Sequence, residues 1–208
     1  TTVSFYTTED ADGNPVRVRA TSAGPDDALV LNRTFRGNAT DIFADLTWNS
    51  KHDEHKLQSD AFFQGEVNEE KADYTLNYRG EAGDEAVRNT VVSFYASTDA
   101  DGNPIRVRAA AAGSDDALAL NRTFRDDARG IFADLTDVSQ HIENKLLSDA
   151  FFQGEVSEEK ADYTLNYKGA AGTETVRNTV VAFYNSTDAA GNPVKVRAGD
   201  ANSDDACT

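Results

Sequence analysis

The chain has 208 residues and a formal net charge of −16 at pH 7, with 39% hydrophobic and 27% charged residues. These fractions are ordinary for a folded protein and exclude a disordered one. Because nucleic acids and anionic membrane surfaces are bound by clustered Lys and Arg, the acidic balance excludes both as partners. No apolar run approaches the ~20 residues that span a bilayer, so we expect no membrane insertion.

The sequence repeats with a period of 89 residues. Residues 4–92 and 93–181 align without a gap and are identical at 66 of 89 positions, and a third copy begins at Ala182. A fixed period of this length indicates one structural unit used repeatedly. Repetition adds length or binding valency with each copy, whereas a catalytic site is rarely duplicated so faithfully. The predicted domains are repeat unit 1 over 1–89, repeat unit 2 over 90–178, and a partial third repeat, its first hairpin only, over 179–208.

Each unit begins with a predicted β-hairpin. In unit 1 its strands are Val3–Thr8 and Pro15–Ala20, joined by a turn in which Gly supplies a positive φ and Pro fixes the exit. Apolar and aromatic residues that alternate along the chain predict further extended segments. These are Ala28–Leu31 leading to Phe35, Ala61–Val67, Asp73–Tyr78, and Val87–Tyr95, which runs directly into the next unit.

One segment, 39–60 with its copy 128–149, has a helical pattern in unit 2 only. Its apolar positions there fall at helical spacings, at Ile131, Leu135, Val138, Ile142 and Leu146. In unit 1 two of these positions are polar, so we expect one short helix or helical turn near Thr40–Leu46 and 129–135. The elements together predict a mainly β fold of tandem β-sandwich, immunoglobulin-like units of about 89 residues, each with one short helix. No Pro- or Ser-rich linker separates the units, which predicts a stiff connection.

The strongest cation candidate is the acidic turn of the hairpin. Its side chains follow the D-x-D-x-N spacing that opens an EF-hand loop, and Ca²⁺ takes about six to eight oxygen ligands. The third copy keeps Asp188 and Asn192 but has Ala190 in the middle, which favours a turn-forming role over ligation. The candidate Ca²⁺ ligands are Asp10, Asp12, Asn14, Asp99, Asp101 and Asn103. We expect Ca²⁺ as a possible ligand and no required cofactor.

A second acidic pair precedes the apolar stretch in each copy. It consists of Asp26 and Asp27 in unit 1 and of Asp115 and Asp116 in unit 2. Such a pair forms either a turn or cap that binds nearby backbone N–H groups, or two ligands of a cation at a unit junction.

Other polar residues give little support to catalysis. The histidine-containing run 52–55 lacks the HExxH order of zinc proteases, and the glutamates within 66–70 favour a solvated turn over a glycosidase pair. Trp48 becomes Asp137 in unit 2, which argues against a sugar-stacking platform. No nucleophile-elbow, P-loop or dinucleotide motif occurs, so we expect a non-enzymatic protein without catalytic residues.

Several features bear on location outside the cell. The absence of Met leads us to expect a processed, secreted form. The only cysteine, Cys207, has the repeat position of Leu29 and Leu118, which predicts a buried small hydrophobe, with an intermolecular disulfide as the alternative. Four sequons are candidate glycosylation sites, at Asn32, Asn38, Asn121 and Asn185.

The stretch STDADGNPIRVRA, which begins at Ser97, resembles the early hairpin of immunoglobulin-like tandem repeats. Such repeats occur in bacterial and archaeal surface proteins, including invasin- and intimin-type adhesins, and carry a D-x-x-G-N-P turn between two strands. The resemblance covers about 15 residues of each unit. It implies an extracellular structural or adhesive role and supplies no catalytic residues.

Three functions follow from these observations. The first is a non-enzymatic extracellular structural protein that polymerises with itself into a filament, sheath or surface layer by strand or hairpin exchange. Hydrophobic residues of the third hairpin, such as Val181 and Phe183, need a covering partner, so the hairpin either packs back on unit 2 or fills a neighbouring molecule, and the second arrangement would be such an exchange. The second is a Ca²⁺-rigidified stalk repeat of a cell-surface adhesin. The third is a carbohydrate-binding module whose partner is a glycan.

Overall fold

A computed structural model describes residues 1–44, 46–47, 53–138 and 141–208. Its regular structure is almost entirely β-strand, which confirms the predicted mainly β class. The strands within the described residues are β1 (Thr2–Glu9), β2 (Pro15–Arg19), β3 (Leu29–Phe35), β4 (Leu57–Gln64), β5 (Lys71–Arg79), β6 (Ala86–Thr98), β7 (Pro104–Arg108), β8 (Leu118–Arg125), β9 (Leu146–Gln153), β10 (Lys160–Lys168), β11 (Thr175–Val181), β12 (Tyr184–Thr187) and β13 (Pro193–Val196).

The first compact unit comprises Thr1–Val92 together with Arg125–Arg129. Its strands form an antiparallel sheet in the order β2-β1-β3-β4-β5-β6. The predicted hairpin is confirmed, because β1 pairs with β2 from Phe5 opposite Arg19 to Glu9 opposite Pro15. The turn between them requires a left-handed residue, and Gly13 supplies it with a φ of 79°.

The core of unit 1 lies against one face of this sheet. Along β3, residues two apart point the same way, so Leu31, Arg33 and Phe35 all face inward and are buried. The segment after β3 closes over them with its own apolar side chains. The buried cluster consists of Val3, Phe5, Leu31, Phe35, Ala39, Ile42, Leu46 and Leu57.

The second compact unit comprises Ser93–Phe124 and Gly130–Thr208. Within it β7 pairs with the second half of β6, and β8, β9, β10 and β11 pair successively, all antiparallel. The hairpin of the third copy forms a separate two-stranded sheet from β12 and β13. The side chains that fill the core of unit 1 have buried counterparts here, including Leu120, Phe124 and Leu146.

Strand β6 contributes to both compact units without a break. Its residues up to Val92 pair with β5 in unit 1, and those from Phe94 onward pair with β7 in unit 2. The prediction that the chain runs directly from one unit into the next is confirmed by this strand of 13 residues.

The helical prediction is confirmed only as a single turn. One 3₁₀ turn covers Thr40–Ile42 and another covers Arg129–Ile131. The prediction of a longer amphipathic helix in unit 2 is wrong, because Ile142 is 82% exposed whereas Ile131 is 4% exposed. The regular spacing spans two elements, since Leu146 is the first residue of β9.

The finer prediction of two-sheet immunoglobulin-like sandwiches is not established by this topology. The described strands of unit 1 lie on one hydrogen-bonded path. Bulges interrupt that path repeatedly, for example at Phe5/Tyr6 and Thr34/Phe35. Over the described residues, no helix is both long and apolar enough to cross a membrane.

Substitution of two isoleucines from the predicted helical stripe shows which of its positions contribute to the stability of the fold. We expect Ile131→Ala to lower the free energy of unfolding by roughly 2–4 kcal/mol, because it leaves a cavity in a packed core. Ile142→Ala should change it by less than about 0.5 kcal/mol, since an exposed side chain loses little. Chemical denaturation measures both, and equal losses would support a buried helix.

Candidate functional site

A buried ion pair lies in the interior of unit 1. Arg33 on β3 stands directly opposite Asp60 on β4. Its Nε donates to Oδ1 of Asp60 at 2.8 Å and its Nη2 to Oδ2 at 2.6 Å, a bidentate arrangement. The Tyr78 hydroxyl donates to the same carboxylate at 3.0 Å, and Arg33 Nη1 also reaches the carbonyl of Thr47 at 3.5 Å. The cluster therefore ties two strands to the segment that covers them.

Unit 2 repeats this cluster with nearly the same geometry. Arg122 Nε and Nη2 each donate to Asp149 at 2.8 Å, Nη1 reaches Thr136 O at 3.3 Å, and the Tyr167 hydroxyl donates at 2.9 Å. Burial, with the nearby Asp149 charge, raises the pKa of Tyr167 to about 12. Burial and Asp60 raise the pKa of Tyr78 in the same direction. Both tyrosines stay neutral donors, and neither is poised for proton transfer near neutral pH.

Four glutamate side chains accept hydrogen bonds from backbone N–H groups. The sequence analysis assigned two of them to solvated turns and did not single out the other two. Glu70 Oε1 accepts the Leu29 N–H at 3.0 Å, and Glu159 Oε1 accepts the Leu118 N–H at 2.9 Å. Deeper in each unit, Glu85 and Glu174 accept the first N–H of β4 and of β9, at 2.7 and 2.8 Å. These carboxylates hold strand ends, a role that fits a framework.

The first aspartate of each acidic turn is held by the turn itself. Asp10 Oδ1 accepts the N–H groups of Asp12 and Asn14, each at 2.9 Å, and Asn14 Nδ2 also donates to it. These hydrogen bonds from Asn14 lower the pKa of Asp10. Asp99 makes the same contacts with Asp101 and Asn103.

The third copy forms the same turn without the middle aspartate. Asp188 Oδ1 accepts the N–H groups of Ala190 and Asn192 at 2.9 and 2.8 Å. The turn therefore needs the first Asp, the Asn and the Gly, while Asp12 and Asp101 are exposed and contribute only backbone N–H groups to it. Ca²⁺ ligation at these turns stays a prediction.

The second acidic pair closes a tight loop with one of its two members. Asp27 Oδ2 accepts the Gly24 N–H at 2.7 Å, and Asp116 and Asp205 make the equivalent contacts at 2.9 and 2.8 Å. Asp26 and Asp115 are exposed beside them. The turn role is thus present in all three copies, and cation binding by these pairs stays a prediction.

One mixed group of acidic and imidazole ligands occurs among the described residues. Asp41, Glu54 and His55 bring one ligand atom each within 4.8 Å of one another, and His55 Nε2 lies 2.8 Å from Asp41 Oδ1. Unit 2 has Gly130 and Asn144 at two of the three positions, so the group is particular to unit 1. The predictions concerning Trp48 and His52 lie outside the described residues.

The predicted sequons fall in different environments. Asn32 and Asn121 lie within paired strands, where their Oδ1 atoms accept the hydroxyls of Ser4 and Ser93 at 2.6 and 2.9 Å. Asn38 and Asn185 are exposed. Glycosylation at any of the four stays a prediction.

Cys207 is exposed, so the prediction of a buried hydrophobe is wrong. It bridges to Tyr184 as Leu29 pairs with Tyr6, which shows that the repeat register is kept. Leu29, however, lies in a strand paired on both sides, whereas Cys207 has only this one bridge. The intermolecular disulfide stays a prediction.

The last feature is the edge formed by β11 and Phe183, here called the terminal edge. Strand β11 pairs with β10 on one side and ends the order of strands in the described sheet. Val181 is 39% exposed and Phe183 is 42% exposed, whereas their repeat counterparts Val92 and Phe94 are 0% and 1% exposed. The strands beside the equivalent positions of the complete copies are β3 and β8, and their counterpart begins at Cys207, where the Thr208 N–H donates to the Phe183 carbonyl at 2.9 Å.

Sequence reasoning missed the Arg–Asp–Tyr cluster. A signal was present, because Arg33 interrupts the inward-facing series of β3 and recurs as Arg122. A charge at an inward position requires an opposite charge nearby. Which acid supplies it depends on strand pairing, and that pairing is not visible locally.

Comparisons with known proteins identify only a short similar stretch. A family model described as the Hpf1 C-terminal YTTT repeat matches residues 89–107. This stretch covers most of β6, the acidic turn and most of β7, far less than half of the chain. It therefore shows a similarity in sequence over this stretch alone. A search of curated proteins and a search of solved structures each gave no match.

The turn geometry predicts different effects for two neighbouring aspartates. We expect Asp99→Ala to lower the Tm, because two backbone N–H groups lose their acceptor, and Asp101→Ala to leave it unchanged, as Ala190 does naturally. Thermal melting by circular dichroism, with Ca²⁺ and then with chelator, measures both. A Ca²⁺-dependent rise in Tm that Asp101→Ala abolishes would instead establish ligation.

The buried ion pair predicts a large loss when its carboxylate is neutralised. Asp149→Asn should lower the free energy of unfolding by about 3–5 kcal/mol, because Arg122 remains charged in the core. The matched control is Asp137→Asn, which removes a more exposed pair with Arg106 at 3.0 Å and should cost at most ~1 kcal/mol. Equal losses in urea denaturation would contradict the structural role of the cluster.

Proposed function

We propose that this chain is a non-enzymatic structural repeat protein that acts outside the cell and assembles with itself into a filament, sheath or surface layer. The observation that carries the proposal is β6, one unbroken strand whose residues belong to both compact units. A chain built in this way gains structure with each copy of the repeat, as structural arrays do.

The connection through β6 suits a protein that bears load. Residues on both sides of the unit boundary are paired, to β5 before it and to β7 after it. Extending the connection would therefore require breaking ladder hydrogen bonds, whereas a Gly- or Ser-rich linker would stretch freely. Pairing on both sides of the boundary supports a structural role.

The polar contacts that recur inside each unit also support a framework role. In unit 1 Arg33 binds Asp60 across neighbouring strands, and in unit 2 Arg122 binds Asp149 in the same way. The strand-end glutamates bind backbone N–H groups. Both sets recur at the 89-residue period, as expected if selection acts on the fold of each copy.

The same continuity supports a second candidate, the stalk repeat of a cell-surface adhesin. An immunoglobulin-like sandwich remains our proposal for the unit, supported by the bulges that bend its sheet around one core. Ca²⁺ at the acidic turns and glycans at the exposed sequons would belong to this candidate.

Self-assembly separates the two candidates. We expect light scattering to show a mass that grows with protein concentration, and negative-stain microscopy of the same samples to show uniform polymers. Parallel series with Ca²⁺, chelator and reductant isolate the contributions of the acidic turns and of Cys207. A persistent monomer of 22.5 kDa at all concentrations would overturn self-assembly and favour the stalk.

A further inference from the structure

The segment between β3 and β4 in unit 1 brings together the mixed ligand group of Asp41, Glu54 and His55. His55 Nε2 lies 2.8 Å from Asp41 Oδ1 and 2.9 Å from Asp41 Oδ2, so the imidazole nitrogen faces the whole carboxylate. A carboxylate oxygen of Glu54 completes the group, and the three ligand atoms all lie within 4.8 Å of one another. Two carboxylates therefore stand beside one imidazole ring.

Both ends of this group are fixed by buried neighbours. Asp41 lies in the 3₁₀ turn Thr40–Ile42, and Ile42 belongs to the buried cluster of unit 1. His55 lies two residues before Leu57, which begins β4 and is buried in the same cluster. Ligands held by a packed framework lose less conformational freedom on binding than ligands on a free loop, so these side chains are suited to hold an ion.

The two copies of the repeat differ at this group in a correlated way. Asp41 and His55 become Gly130 and Asn144 in unit 2, although 66 of the 89 aligned positions are identical. The glutamate persists as Glu143, so unit 2 keeps one ligand and lacks the other two. The residues that change are the two whose side chains contact each other in unit 1, which indicates that they act together.

We propose that Asp41, Glu54 and His55 bind one divalent transition-metal ion in unit 1, with Zn²⁺ as the best match. Zn²⁺ accepts imidazole nitrogen and carboxylate oxygen at about 2.0–2.2 Å, and three protein ligands leave a fourth position for water. Ca²⁺ and Mg²⁺ prefer oxygen ligands, so the imidazole selects against them. The two carboxylates balance the charge of a divalent ion.

The bound ion would clasp the segment that covers the core of unit 1. Asp41 and His55 are 14 residues apart in the chain, and a metal bound to both closes that loop. Closing a loop removes conformational freedom from the unfolded chain and so stabilises the folded state. The inference is independent of self-assembly, because all three ligands belong to one compact unit.

The test titrates the whole chain with Zn²⁺ by isothermal titration calorimetry. We expect saturable 1:1 binding, together with a rise in the Tm that chelator reverses. Glu54→Gln and His55→Ala should each weaken the binding at least about tenfold, since loss of a group that merely supports a ligand already costs that much. The matched control is Glu143→Gln, the same change at the equivalent position of unit 2, which should leave affinity and stoichiometry unchanged.

A double variant transfers the site to unit 2. Gly130→Asp with Asn144→His supplies the two missing ligands beside Glu143. A Cβ at Gly130 meets no atom of the described residues within 4 Å outside its own chain neighbours, so the backbone accepts the aspartate. We expect the stoichiometry to rise from one to two Zn²⁺ per chain. Gly130→Asp alone supplies too few ligands and should leave the stoichiometry at one.

The outcomes decide between a metal site and a simple ion pair. Absence of saturable Zn²⁺ binding would overturn the inference and leave Asp41 and His55 as an ion pair. Binding that both Glu54→Gln and His55→Ala leave intact would overturn it by placing the ion elsewhere. A stoichiometry that stays at one after the transfer would overturn the claim that these three side chains suffice. Light scattering measures self-assembly separately, so each of these results leaves the proposed function standing.

Discussion

The buried pair of Arg33 with Asp60, repeated as Arg122 with Asp149, constrains the rest of each unit. Both charges are removed from water, so each is tolerable only while the other stays within hydrogen-bonding distance. A slip of one residue between β3 and β4 would place Arg33 opposite Ser59 or Ala61 and leave two unpaired charges in the core. The pair therefore selects one register from several that hydrophobic burial alone would permit.

That register also positions the segment that covers the sheet in each unit. Arg33 and Arg122 reach the carbonyls of Thr47 and Thr136, so the segment after each 3₁₀ turn is held over the sheet by the same guanidinium group that fixes the strands. The glutamates at the starts of β4 and β9 complete the arrangement from the neighbouring strand end. A few polar groups thus join three separate parts of the chain in each unit.

The sequence predicts those parts of the structure that depend on contacts between residues close together in the chain. The D-x-x-G-N-P turn was predictable because Asp10, Gly13 and Asn14 act on their own backbone within five residues. The helical stripe misled because Ile131 and Leu146 belong to different elements that happen to share helical spacing. The partner of Arg33 was not readable, since Asp60 lies 27 residues away and is brought close only by strand pairing.

The positions at which the two copies differ indicate which features the repeat depends on. Asp41 and His55, two members of the mixed ligand group, become Gly130 and Asn144, whereas Arg33, Asp60 and Tyr78 all persist. A role that belongs to every copy must therefore use the shared frame and the strand edges it presents. Repetition of the same buried pair in both copies thus makes each unit a structural element.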